Sequence, residues 1–269
     1  MMDKKFKLGV IGAGFMSSAI INGAINTNVV ESQQIIVSDI NDDALSKMDK
    51  IGVNTTKNNQ DAVNQSEFVL FAIKPQNLND VLVSIKDCNC NKFISIMAGV
   101  KKEKIKAVFT RSKVARCMPN TPCAIGCGAV GLDLSDFVIN EDKEFVKNLL
   151  SSFAKVVLVS EDKLNAVTGV SGSSPAYFYL FLQGIIESGV KNGLSEEDAK
   201  LLATSTMIGA GKMVLNNQDK TLDELITAVC SKGGTTIEAI KVYKDSGLND
   251  ITDKAVCACV KRAAELENL

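Results

Sequence analysis

Gly12 and Gly14 form a turn that could hold the phosphates of a dinucleotide. They follow the strand-like run LGVI and precede the helical pattern SSAIINGAI, with the small residue Ser17 at the third position of the motif. The first glycine suits a tight strand-to-helix turn, the second lets a pyrophosphate approach the backbone, and the helix start offers unpaired N–H groups. The candidate cofactor-binding residues of this turn are Ile11, Gly12, Ala13, Gly14, Phe15 and Met16. The alternative is a tight βα turn in a protein that binds no nucleotide.

Asp39 ends the second strand-like run, QIIVS, and is a candidate ligand for a ribose 2′-hydroxyl. No arginine follows it, since Ile40 and Asn41 come next, so a 2′-phosphate would lack a cation. This pattern favours NADH over NADPH. The alternative role for Asp39 is an N-cap of the next helix.

The segment 231–236 (SKGGTT) is the best carboxylate-binding corner in the chain. Gly233 and Gly234 allow backbone N–H groups to point at one spot, and the helix that follows adds its dipole. Ser231 and Thr236 can donate hydroxyl hydrogen bonds. The alternative is a Gly-Gly turn whose helix is capped by Thr235.

The composition excludes several classes of function. The chain has 269 residues, no histidine and a net charge of -1. Mechanisms based on imidazole are therefore excluded, and a nucleic acid or an anionic membrane is not expected as a partner, because both need a basic face. The eight cysteines lack C-x-x-C spacing, so we expect reduced structural thiols and no metal site.

The sequence does not predict a secretory leader or a membrane-spanning helix. The start of the chain passes from charged residues directly into a strand, which predicts a cytoplasmic protein without a secretory leader. Residues 164–186 carry no charge, but glycine, serine and Pro175 interrupt them, and the apolar part from Ala176 to Ile186 is too short for a bilayer. This part predicts a helix buried in a core or in a subunit interface.

Two domains must position these turns. Strand-like runs at 6–12, 34–38, 52–56, 68–73, 93–98, 113–118, 128–132 and 155–160 alternate with helical patterns, and the β signal then stops. Strands that are apolar on both faces predict an α/β fold, with a Rossmann-type doubly wound sheet in residues 1–161. Residues 162–269 predict about five helices.

The helical half carries start and stop signals. Ser195 with Asp198, Thr221 with Glu224 and Thr235 with Glu238 each fit a capping box. Gly193 and Gly247 stand where C-terminal caps would fall, and Ser174 before Pro175 suits a helix start.

Four further motifs are jointly specific. FAIKPQNL (71–78), RCMPNTP (116–122), VSGSSPAYF (170–178) and CSKGGTTIEAI (230–240) follow the amino-terminal GAG in order. This series resembles the Δ1-pyrroline-5-carboxylate reductases, the last enzymes of proline biosynthesis, over nearly the whole chain.

The resemblance implies an oxidoreductase that transfers hydride from NADPH or NADH to the C=N carbon of 1-pyrroline-5-carboxylate, giving L-proline. It implies that Ser231, Gly233, Gly234, Thr235 and Thr236 bind the substrate, with the hydroxyl of catalytic Thr236 near the ring nitrogen. It further implies that the helical domain forms a homodimer, with decamers in some members. It adds these cofactor-binding residues: Asn59, Ala72, Ile73, Lys74, Pro75, Met97, Ala98 and Asn120.

The chain departs from the family pattern at two positions, and two alternative functions remain open. Ser174 and Lys232 stand where the family usually has glycine and proline, and Lys232 places a new cation beside the corner. One rival is a β-hydroxyacid dehydrogenase-like oxidoreductase using Lys191 or Lys212 as proton donor, which leaves the KGGTT segment unexplained. The other is a nucleotide-sensing module without catalysis.

Overall fold

The computed structural model describes residues 4–267, and contacts divide them into two units. The first unit contains residues 4–173 and 259–267, and the second contains residues 174–258. Residues 162–173 and 259–267 thus pack with the sheet, whereas the sequence places them in the helical half. The functional division at 161/162 stays a prediction.

An eight-stranded sheet forms the centre of the first unit. Its strands are β1 (Phe6–Ile11), β2 (Ile35–Ser38), β3 (Asn54–Thr56), β4 (Ser66–Phe71), β5 (Lys92–Ser95), β6 (Lys113–Met118), β7 (Gly128–Asp133) and β8 (Ala154–Leu158). The order is β3-β2-β1-β4-β5-β6-β7-β8, and every neighbouring pair is parallel except β6 and β7. The predicted doubly wound sheet is confirmed.

Helices cover both faces of this sheet. They are α1 (Phe15–Asn26), α2 (Asp42–Asp49), α3 (Asn59–Asn64), α4 (Leu78–Ile85), α5 (Lys102–Lys106), α6 (Asn140–Ser151) and α7 (Leu164–Val167), followed by a π-helical turn, Thr168–Gly172. Leu8 and Val10 face a core that includes residues of α1 and α6, while Ile11 faces a second core with α4 and α5. Alternate residues of β1 are therefore buried on opposite faces, as a parallel sheet between helical layers requires.

The second unit is helical. It contains α8 (Ser174–Lys191), α9 (Glu196–Asn216), α10 (Leu222–Val229), α11 (Thr235–Asp245) and the first eleven residues of α12 (Leu248–Leu266). The prediction of about five helices is confirmed. None of the helices within residues 4–267 combines the length and the apolar character that a membrane crossing needs.

The helix caps agree with the sequence at most positions. Ser195 accepts a hydrogen bond from the Asp198 N–H, and Thr221 with Glu224 forms a full capping box. Gly193 and Gly247 follow helices with φ of 98° and 72°. The predicted Thr235 capping box is wrong, because Gly234 is the N-cap and Thr235 already lies in α11.

The second unit buries very little apolar surface within one chain. Ser174 and Ala199 are the only residues of this unit that are buried among those described, and the rest are exposed or partly exposed. Large apolar side chains on α8 and α9 are exposed, with Leu180 at 72% and Leu201 at 66%. The helix predicted to be buried from Ala176 onward thus does not find its cover inside a single chain.

Candidate active site

The glycine turn, residues 12–14, lies between the carboxyl ends of β2 and β4. Gly12 has φ of 101°, and a Cβ atom there would lie 2.6 Å from the carbonyl oxygen of Ala72, so both conformation and space require glycine. Its N–H donates to the carbonyl of Ser38 at 2.8 Å, and the N–H of Ala72 donates to Ile11 at 2.9 Å. The turn is held on both sides by neighbouring strands.

The start of α1 is open to a ligand. Gly14 is the N-cap, no side chain caps the helix, and its first turn contains no acidic residue. A Cβ atom on Gly14 would meet no protein atom within 4 Å, so packing within the chain does not explain this glycine. Free N–H groups and the positive end of the helix dipole fit a diphosphate here. Phe15 is exposed and Met16 is half-buried at this helix start.

Ser17 has a role that the sequence did not reveal. It is fully buried, and its hydroxyl donates to the carbonyl of Gly12 at 2.5 Å. The serine therefore ties the helix back to the turn, where the dinucleotide motif normally uses a third glycine for close packing alone. A small residue at this position was the only signal available.

Asp39 is fixed against the glycine turn. One carboxylate oxygen accepts from the Ala13 N–H at 2.7 Å, and the other accepts from the Asn41 N–H at 2.9 Å. The alternative that Asp39 caps α2 is wrong, because Asn41 is the N-cap and accepts from Ala44 at 3.0 Å. Asp39 thus lies beside the turn, at the carboxyl end of β2, where a ribose would meet it.

The other predicted cofactor residues lie at neighbouring strand ends. Ala72 and Ile73 follow β4, the exposed Lys74 precedes a 3₁₀ turn that starts with Pro75, and the buried Met97 and half-buried Ala98 follow β5. Parallel strands place all these carboxyl ends on one side of the sheet, and the order in which successive strands are added reverses between β1 and β4. Ligands of open α/β sheets bind at this kind of switch point.

Two asparagines are engaged in structural hydrogen bonds. Asn59, at the start of α3, accepts from the Ser38 hydroxyl. Asn120, after β6, accepts from the Ala129 N–H at 3.0 Å and donates to the Ser171 hydroxyl at 3.3 Å. Asn120 therefore ties the end of β6 to the π-helical turn, which gives it a structural role beside the predicted one in cofactor binding.

The predicted carboxylate corner lies in the second unit, between α10 and α11. The Gly234 N–H donates to the carbonyl of Ser231 at 3.0 Å, and Gly233 has φ of 72°. A Cβ atom on Gly234 would lie 2.3 Å from the Ser231 hydroxyl oxygen. The serine hydroxyl is therefore held over the start of α11, whose backbone has no side-chain cap. Thr236 is half-buried in the first turn of this helix.

The lysine and cysteine side chains considered as alternatives lack features of reactive or metal-binding groups. Lys232, Lys191 and Lys212 are exposed. Burial raises the pKa of the Cys117 thiol to about 12, so this cysteine is not a nucleophile at neutral pH. All eight cysteines are free, and the described residues contain no group of three metal-ligating side chains.

Two family models match different parts of this chain, and a known enzyme is similar to it over almost its whole length. Residues 161–266 match the family described as pyrroline-5-carboxylate reductase dimerisation, and residues 7–99 match that described as NADP oxidoreductase, coenzyme F420-dependent. A pyrroline-5-carboxylate reductase of Haemophilus influenzae is 35% identical, over 97% of this chain and 98% of its own.

Two solved structures are similar as well. The pyrroline-5-carboxylate reductase of Coxiella burnetii has a TM-score of 0.90 at 32% identity, over 97% of this chain and 98% of that one. The pyrroline carboxylate reductase of Plasmodium falciparum, solved with NADP bound, has a TM-score of 0.85 at 27% identity, over 98% and 99%.

Proposed function

Because the chain belongs to the pyrroline-5-carboxylate reductase family, we propose that the residues described above carry out that family's reaction in this protein. It is an NAD(P)H-dependent oxidoreductase of proline biosynthesis. The substrate is 1-pyrroline-5-carboxylate, a cyclic imine with a carboxylate group, and the product is L-proline. In this proposal the glycine turn of the first unit binds the cofactor, and the corner at 231–236 of the second unit binds the substrate.

The edge of the sheet would hold the cofactor. The N–H groups of Gly14 and of the first turn of α1 bind the diphosphate, and Asp39 binds the ribose beside them. Ala72–Pro75, Met97–Ala98, Asn59 and Asn120 line the rest of the edge. When bound, NADPH or NADH supplies the hydride for the C=N carbon.

The corner at 231–236 would hold the substrate carboxylate. The Ser231 hydroxyl and the N–H groups of Thr235 and Thr236 donate to it, and the left-handed Gly233 lets the chain turn into the helix start. An anion is favoured there, since α11 has eleven residues and no side-chain cap. The Thr236 hydroxyl lies in the same turn and orients the ring nitrogen or moves a proton to it.

The chemistry suits a chain that has no histidine. A protonated cyclic imine is already strongly electrophilic at carbon, so the protein must mainly position two carbons and exclude water. Hydroxyl and backbone N–H groups are sufficient for this task. A β-hydroxyacid dehydrogenase would need a lysine proton donor, and the exposed Lys191 and Lys212 offer no such site.

The chain forms oligomers, as its dimerisation region implies. We propose a homodimer through the second unit, with a decamer as a higher assembly. The exposed apolar side chains of α8 and α9 support this proposal, because a surface of that kind needs a partner. The proposed location is the cytoplasm.

The observation that carries the proposed function is the uncapped, di-glycine start of α11 behind the Ser231 hydroxyl. The test is steady-state oxidation of NADPH and of NADH with 1-pyrroline-5-carboxylate, with proline measured as product. We expect turnover with this imine and none with 3-hydroxy acids run in the oxidative direction. Cofactor binding without proline formation would contradict the proposal and favour a nucleotide sensor.

A further inference from the structure

The carboxyl end of α12 lies directly behind the loop that follows β5. Gly99 in this loop has φ of 68°, and a Cβ atom there would lie 2.9 Å from the Cβ of Leu266. The same loop contains Met97 and Ala98, which are assigned to the cofactor. The backbone of Gly99 thus packs against Leu266 with no room for a side chain between them, so a shift of the helix end would shift the loop.

A buried arginine fixes this end of α12. Arg116 on β6 is 3% exposed, and its Nη2 atom lies 2.8 Å from Oε1 of Glu267. Its Nη1 atom lies 3.1 Å from Oε1 of Glu161, which also accepts the N–H of Lys102 at 2.9 Å. One guanidinium thus joins β6, the segment after β8 and the end of α12.

The Glu267 carboxylate is held in its charged form. Burial alone would raise its pKa, but hydrogen bonds from Arg116 and Asn165 and the charges of Arg116 and Lys101 outweigh burial and lower the pKa below 4.5. The Lys101 ammonium lies 3.5 Å from the second carboxylate oxygen. A buried pair of this kind is costly to break, because removing one partner leaves the other charge uncompensated.

A second contact connects α12 to the candidate cofactor site. The Cys259 thiol lies 3.2 Å from the Ser173 hydroxyl, directly after the π-helical turn. Ser171 in that turn accepts the Asn120 side chain. The same helix therefore supports two segments of the sheet edge, the loop 97–99 and the turn that holds Asn120.

We infer that Glu267 and Arg116 are positioning residues for the nicotinamide half of the cofactor. They hold the end of α12 in place, and α12 in turn holds the loop 97–99 at the end of β5. Asp39 at the end of β2 marks the adenosine side, so β5 lies on the other side of the switch point. This inference rests on the proposed assignment of Met97 and Ala98 to the cofactor.

The test compares two ligands on the Glu267→Gln variant. We expect the dissociation constant of the tighter-binding reduced cofactor, NADPH or NADH, to rise about tenfold, since the buried Arg116 loses one of its two carboxylate partners. The dissociation constant of ADP, which lacks the nicotinamide half, stays unchanged. The matched control is Glu265→Gln on the same helix, whose exposed pair with Arg262 contributes little, so both constants remain those of the parent protein.

Arg116→Lys supplies a second test. Lysine keeps the positive charge but lacks the planar guanidinium group that can bind two carboxylates at once. The substitution should therefore weaken binding of the reduced cofactor and leave the dissociation constant of ADP unchanged. Equal weakening of both ligands would mean a general loss of structure and would overturn the inference, as would unchanged cofactor binding in both variants. These measurements need no imine, so absent proline formation would contradict the proposed function alone.

Discussion

At the scale of single residues, the Thr236 hydroxyl is the group on which the proposed chemistry depends most. Thr236→Ala removes it while keeping the backbone N–H of the helix start. We expect kcat with 1-pyrroline-5-carboxylate to fall by about 100-fold, the lower range for a lost proton-transfer group. Thr236→Ser, which keeps a hydroxyl, should recover most of the loss. Thr235→Ala is the matched control, because only the backbone of Thr235 is assigned a role, and near-normal kcat in Thr236→Ala would contradict the assignment.

Asp39 is the residue that should decide between the two cofactors. Its carboxylate is held by the N–H groups of Ala13 and Asn41, so it cannot easily turn away from a 2′-phosphate. We expect the parent protein to favour NADH and Asp39→Asn to raise the ratio of kcat/KM for NADPH over NADH by about tenfold, a change of about 1.4 kcal/mol.

Asp42→Asn is the control for that experiment. Asp42 carries the same charge nearby but pairs with Lys57 at 2.7 Å on the surface. Its replacement should leave the cofactor ratio unchanged. A wide preference of the parent protein for NADPH would show that Asp39 does not act against the 2′-phosphate.

At the scale of elements, the turn between α10 and α11 contains two glycines that are needed for different structural reasons. Gly233 needs its left-handed conformation, whereas Gly234 has φ of -82°, which any residue can adopt. Gly234→Ala would instead push the Ser231 hydroxyl aside, because the new Cβ would lie 2.3 Å from its oxygen. We expect KM for the imine to rise about tenfold with little loss of stability, since the displaced atom is the end of a flexible side chain.

The double variant Ser231→Ala/Gly234→Ala checks this explanation. If displacement of the hydroxyl is the cause, the double variant has the same KM as Ser231→Ala, because there is no hydroxyl left to displace. Gly233→Ala should behave differently and lower the free energy of unfolding by about 1 kcal/mol, the cost of a left-handed side chain. Additive effects of Ser231→Ala and Gly234→Ala on KM would contradict the explanation.

The sequence predicts the elements better than their ends. All eight strand-like runs become strands, and several of them are apolar on both faces, a pattern that the local sequence reveals. The predicted runs 68–73 and 93–98 extend too far, since Ala72–Ile73 and Ile96–Ala98 leave the sheet at its functional edge. The bond from Ala13 to Asp39 joins residues 26 positions apart, and no local periodicity carries that information.

At the scale of the whole molecule, charge pairs link parts of the first unit that lie far apart in sequence. Lys102 is buried, with its ammonium 2.7 Å from Asp133 and 3.0 Å from Asp136, and Lys106 also reaches Asp136 at 2.8 Å. These pairs join α5 to the end of β7. None of the positions stands out in the sequence, where the lysine run at 101–106 predicts a solvent-exposed helix face.

This cluster predicts how the stability of the first unit responds to acid. Burial alone would raise the pKa of Asp136, but hydrogen bonds from Lys106, Lys102 and the Val114 N–H lower it below 3.8. The folded state therefore binds fewer protons than the unfolded state. The contribution of Asp136 is fully present above pH 3.8 and is lost as pH falls through the lower, folded pKa.

Asp136→Asn should lower the free energy of unfolding at pH 7 and make its decline below pH 3.8 shallower, because that residue no longer takes up a proton. Urea unfolding at a series of pH values measures both effects. Glu144→Gln is the control, since its surface pair with Lys147 contributes little at any pH. A decline as steep in Asp136→Asn as in the parent protein would mean that other carboxylates govern acid unfolding, and that the pairs of Asp136 with Lys102 and Lys106 add no pH-dependent stability.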